Sequence, residues 1–146
     1  MKFKLIVDPN AEEQIVATVH APSALTEQIE AMVLSNNGID SLQGYCDGEI
    51  TRLSTSEVEC ITIIDRKVIA IYKDGKHYRL SMRLFELEEQ LPSYFFRINK
   101  SALANRHCIV KFKTTVVGGV DAHFRCGYVE YVSRRCFADI KRRMGL

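Results

Sequence analysis

Apolar and polar residues alternate from the first positions of the chain. In KFKLIV, residues 2–7, Phe3, Leu5 and Val7 share one face, and Asp8-Pro9-Asn10 supplies a turn, which predicts a strand. QIVATVH, residues 14–20, predicts a second. The period then lengthens: Leu25, Ile29, Met32 and Val33 recur at helical spacing, Ser23 stands where a cap is needed with Glu27 in the first turn, and Gly38 suits a left-handed stop. A helix from about Ser23 to Asn36 follows. SLQGYC, residues 41–46, reads as a strand and Asp47-Gly48 as a turn, so residues 1–48 are expected to form a small β-α-β-like segment.

Beyond Glu49 the pattern is a series of short strands. EITRLS alternates through Ile50 and Leu53, VECITIID and KVIAIYK flank Arg66, and KHYRLS follows the turn signal Asp74-Gly75. Leu80, Leu84, Leu87 and Leu91 then align on one helical face with Pro92 as the stop. FFRIN, CIVKFKTTVV, VDAHFRC and YVEYVS return to strand periodicity, with Gly118-Gly119 and Gly127 as turns. A last helix begins at Ser133 and shows Phe137, Ile140 and Met144 on one side. The fold class is mainly β (α+β), with residues 49–146 as its main domain.

Composition changes this picture little. A chain of 146 residues, 47% hydrophobic and 26% charged, can bury a real core. Its apolar runs fall far short of the roughly 20 residues a membrane span needs, and the opening MKFKLIVDPN reaches Asp8 too soon for a secretory signal. A cytoplasmic protein without membrane insertion is expected. Five cysteines, an odd number with no CxxC spacing, read as reduced structural thiols.

Charge changes it more. The net +2 hides −6 over residues 1–50 and +8 over residues 92–146, where only Asp121, Glu130 and Asp139 oppose eleven Lys or Arg. A basic end of this kind suits a polyanion, although a solvated face also reads so. Catalysis finds no support: the four histidines lack metal-site spacing, no phosphate-binding loop occurs, and no cofactor is expected. The long donors gather instead at three strand junctions, Asp65-Arg66-Lys67, Asn99-Lys100-Ser101 after FFRI, and Ser133-Arg134-Arg135. Taken singly each could be an exposed turn. Arg, Lys and Asn are also the side chains that bond phosphates and base edges.

The stretch FFRINKSALAN resembles the F-x-R-x-x-[KR]-S-x-[IL]-V-N signature of the bacterial LytTR DNA-binding domain, and YVSRRCFADIKRRMGL resembles that family's ending, a strand closing in V-S-R-R before a terminal helix. The leucine-rich helix ahead of FFRI fits as well. Ala104 departs from the pattern, standing where the family usually has valine before Asn105. The resemblance covers about residues 49–146 and implies an elongated antiparallel β domain that reads double-stranded DNA with loops. By position it implies contacts from Arg66 and Lys67, from Asn99, Lys100 and Ser101, and from Arg134 and Arg135. Asn105 reads as structural, and Arg97 either as a phosphate contact or as the partner of a carboxylate such as Glu86. The short acidic segment makes the chain resemble stand-alone LytTR regulators, often encoded beside a small membrane protein that restrains them. Residues 1–48 are expected either to mediate interaction, including homodimerisation, or to complete the fold. A protein-interaction module docking an acidic partner, and more weakly an RNA binder, remain open on sequence alone.

Overall fold

The computed structural model describes residues 1–35 and 38–145, which group as Met1–Val33 and Leu34–Leu146. In the first group the chain is irregular up to α1 (Ala24–Ser35). Ser23 and Thr26 cap this helix reciprocally: the Ser23 N–H donates to Thr26 Oγ1 at 2.8 Å and the Thr26 N–H to Ser23 Oγ at 3.4 Å. The expected helix end at Asn36 lies outside the described residues.

The strands expected over 2–7 and 14–20 are not formed. Alternation prepares a strand, but a strand persists only against a partner ladder, and neither stretch has one among the described residues. Phe3 and Val7 are accordingly exposed, at 90% and 83%. The stretch 41–46 does form a strand, β1 (Ser41–Cys46), but it pairs antiparallel with β2 (Glu49–Ser54) in register Cys46↔Glu49. Asp47-Gly48, expected as a boundary, is the tip of that hairpin, and no β-α-β-like unit results.

Eight more strands follow: β3 (Val58–Ile64), β4 (Lys67–Tyr72), β5 (His77–Arg79), β6 (Phe95–Asn99), β7 (Ala102–Asn105), β8 (Ile109–Thr114), β9 (Val120–Phe124) and β10 (Val129–Val132). All pair antiparallel, in a seven-stranded sheet of order β2-β1-β5-β4-β3-β7-β6 and a three-stranded sheet of order β10-β9-β8. Helix α2 (Leu84–Gln90) precedes β6, and α3 (Arg134–Met144) ends the chain.

Alternation along the central strands feeds two cores, one on each face of the large sheet. Ile61, Ala70 and Leu103 turn to the face where Leu84, Leu87 and Leu91 pack. Cys60, Ile71, Ile98, Ala102 and Ala104 turn to the other, against Val120, Ala122, Phe124 and Val132 of the small sheet and Ile140 of α3. Strand β3 is covered on both sides. Strand β7 contributes only methyl groups to the second core, from Ala102 and Ala104, both fully buried; Ala104 pairs laterally with Cys60 and with Phe96. Its small side chains let the small sheet approach closely.

Polar links from β3 help tie the sheets together. Buried Glu59 accepts the Cys126 N–H at 2.9 Å, and the Thr62 hydroxyl donates to Glu130. The cysteines are free thiols, and burial pushes Cys108 up to about 11, consistent with a packing role.

Candidate nucleic-acid interface

The first junction, between β3 and β4, is a two-residue turn closed by Ile64↔Lys67. Two-residue hairpins of type I′ need positive φ at both central positions, which is why Asn-Gly and Asp-Gly dominate there. Asp47-Gly48 obeys, with φ of 50° and 76°; Asp65-Arg66 adopts the same geometry at 51° and 65° with an arginine in the glycine position. Backbone in the left-handed region costs a residue with a Cβ about 1–2 kcal/mol. Arg66 and its neighbour Lys67 are exposed.

The second junction is tighter than a loop. Residues 99–101 close a hairpin between β6 and β7, with a register irregularity between Arg97 and Asn99. Asn99 is buried, and both ends of its amide are engaged: Oδ1 accepts the Ser101 N–H at 2.7 Å and Nδ2 donates to the Tyr131 carbonyl of β10 at 2.6 Å. Arg97 pairs with Glu88 and donates through Nη1 to the Lys100 carbonyl at 2.6 Å. The partner is thus Glu88 and not Glu86. The two positions lie about 200° apart around α2, so only one can face β6. With these groups committed, Lys100 is the exposed cation of the turn, and Ser101 is half-buried beside it. Asn105 is structural as expected: fully buried, it donates to the Ser56 and Val58 carbonyls at 3.1 and 3.0 Å and accepts the His107 N–H at 3.0 Å.

The third junction joins β10 to α3. Ser133 caps the helix by accepting the Cys136 N–H at 3.1 Å, and its own N–H donates to the Ile98 carbonyl at 2.8 Å. Arg134 and Arg135 follow in the first turn, both exposed, where the helix dipole disfavours cations. The basic run Lys141, Arg142, Arg143 sits at the opposite, favourable end.

The middle hairpin is bonded to the elements that lie on either side of it, β3 and the β10–α3 junction. On one side the Ile63 N–H donates to the Ser101 carbonyl at 3.1 Å; on the other stand the Tyr131 and Ile98 contacts to β10 and Ser133. A shallow groove of about 310 Å³, lined by Thr62, Ile64, Asn99, Lys100, Ser101 and Tyr131 among others, runs across this surface. Its one acid, Glu130, accepts from Thr62, from the Tyr128 hydroxyl at 3.3 Å and from the Tyr131 N–H at 3.1 Å. Burial, with Glu130 nearby, raises the Tyr128 phenol, keeping it a donor. Among the described residues, Arg66, Lys67, Lys100, Arg134 and Arg135 form no ion pair. Sequence reasoning missed the groups that brace the turns, Glu88 and the Tyr131 carbonyl. A main-chain acceptor leaves no trace in side-chain pattern, and Glu88 shows none beyond its helix position.

The LytTr DNA-binding domain family matches residues 48–145 of the chain. The chain belongs to this family. As a LytTR protein it is a DNA-binding transcriptional regulator. Over its full length it is 33% identical to a Staphylococcus aureus protein of strain bovine RF122 / ET3-1, and 32% identical to one of strain NCTC 8325 / PS 47, covering 99% of each; both are named HTH-type transcriptional regulators. The LytTr DNA-binding domain of a Bacillus cereus protein, described as a methyl-accepting/DNA response regulator, shares the fold with a TM-score of 0.67 at 17% identity, over 75% of this chain and all of that one. Helix-turn-helix geometry, however, is absent among the described residues of this LytTR protein, since five strands separate α2 from α3.

Proposed function

We propose that this regulator reads double-stranded DNA sequence-specifically through its three junction turns. Arg66 and Arg135 act as base-reading arginines, and Lys67, Lys100 and Arg134, with the Ser101 hydroxyl, act as backbone contacts. Arg97 and Asn99 serve this surface as positioning residues, since their polar groups are spent on the Lys100 carbonyl, Glu88, Ser101 and Tyr131. The observation that carries the reading is five exposed cations, outside any ion pair among the described residues, at three junctions of which the middle one is joined by main-chain bonds to β3 on one side and to Ser133 on the other. Rigid mounting is what a base reader needs, because each side chain must meet a fixed base edge.

In the same reading the protein acts in the cytoplasm as a non-catalytic regulator. With residues 41–48 paired into the main sheet, residues 1–33 would supply self-association or contact with a small membrane protein. Their excess of acids would be repelled by phosphate, and the exposed apolar side chains of Phe3, Leu5 and Val7 suit a protein partner.

Selection from random duplexes by the full chain, at stated salt, tests the proposal. Enrichment of one motif is expected. Its affinity should fall steeply with salt, each neutralised phosphate adding about −0.9 to the slope of log K against log salt. No enriched motif, or a slope near zero, would count against it.

A further inference from the structure

The β8–β9 hairpin ends in Thr115-Val116-Val117-Gly118-Gly119, and its two valines are among the most exposed apolar side chains of the chain, at 106% and 87%. Turn tips ordinarily carry Gly, Asn, Asp, Pro or Ser. Here two adjacent β-branched residues project from a turn that is firmly held. The Thr115 N–H donates to the Gly119 carbonyl at 2.8 Å, the Gly118 N–H to the Thr115 carbonyl at 3.0 Å, and the Gly119 N–H to Thr115 Oγ1 at 3.0 Å. Gly118 has φ +83°, and a Cβ placed on it would lie 3.9 Å from Arg134 Nη2. The register agrees with that proximity: Thr114 pairs with Val120 and Val120 with Val132, so the tip emerges at the strand end that leads into Ser133 and Arg134.

The surroundings suit a polyanion. Lys111 and Lys113 are exposed along β8, with Asp121 opposite Lys113 as the acid of the hairpin. A stiff apolar tip between cations matches one feature of duplex DNA, the C5 methyl of thymine in the major groove, which is read by apolar contact.

We infer that Val116 and Val117 form a specificity element that recognises thymine methyl groups beside the step contacted by Arg134. The inference rests on the DNA-reading proposal above and extends it to a turn whose one hydroxyl, that of Thr115, is engaged by the Gly119 N–H.

The test uses the duplex selected by the full chain. Each thymine is replaced in turn by deoxyuridine, which removes only the methyl, and affinity is measured for the parent and for a variant carrying Val116→Ser and Val117→Ser. At one or two positions the replacement should weaken the parent about fourfold, the worth of one buried methyl. It should leave the variant unchanged, and the variant should bind the thymine duplex correspondingly more weakly than the parent while melting at the same temperature. Val116→Asn with Val117→Asn, which leaves no side-chain methyl at the tip and suits an exposed turn, serves as a second variant with the same expectation. Equal deoxyuridine sensitivity in parent and variants, or none at any thymine, overturns the inference and leaves the DNA-reading proposal standing. So does a variant that keeps full DNA affinity but shifts in sedimentation, which would make the tip a contact between copies. Failure to select any motif would overturn both.

Discussion

Arg66 occupies a backbone position that its side chain makes costly. The equivalent turn at Asp47-Gly48 has the residue that geometry prefers, and Asp65-Arg66 does not. Replacing Arg66 with glycine is therefore expected to stabilise the fold, by about 1 kcal/mol, while lowering affinity for the selected duplex by about 1–3 kcal/mol. Thermal melting and duplex titration of the same variant check the two opposite signs; a loss of stability would mean the arginine holds the turn. Arg135→Ala is expected to cost a similar affinity and to relax preference at one or two base positions, again without loss of stability, because a cation in the first helical turn gains nothing from the dipole. A variant that binds normally but melts several degrees lower would make Arg135 a structural residue. The sequence pointed to these residues because long cations at strand junctions are conspicuous. It could not separate Lys100, which is exposed, from Arg97 and Asn99, which brace it, since contact and bracing draw on the same side-chain chemistry.

At the level of elements, the β6–β7 hairpin is the hinge of the surface. Asn99→Ala removes no charge but breaks the link between the middle turn and β10. It is expected to reduce DNA affinity and, in a double-mutant cycle with Lys100→Ala, to give strongly non-additive losses, because an unbraced turn no longer presents its lysine. Additive losses would mean that Asn99 works independently of Lys100. Strand β7 itself was hard to read, because Ala102 and Ala104 have little strand propensity and the stretch looks like loop until its partners are known. The converse error occurred at 2–7 and 14–20, where alternation was clear and a partner strand was wanting. Helices α2 and α3 were legible because a leucine or capping pattern is local, whereas strand pairing is a property of distant residues.

Considered whole, the molecule separates charge as it separates roles. The acids are concentrated towards the N-terminus and the bases towards the C-terminus. A chain beginning at Leu34, which retains β1 and its hairpin, is expected to fold and to keep the selected motif while losing self-association, as read by circular dichroism, duplex selection and sedimentation. If that chain instead fails to fold, residues 1–33 complete the domain and do not serve as a separate interaction element.

The methyl-lined face of β7 bears on the history of the chain as well as on its present packing. Ala104 lies between Cys60 and Phe96 against the small sheet, in a space already filled, and enlarging a side chain there costs about 1–3 kcal/mol unless something nearby shrinks. Relatives that carry valine at this position should therefore differ in step at the positions of Cys60 or Phe96, so that the three sites drift as a group of nearly constant volume while the junction turns at the strand ends stay in place.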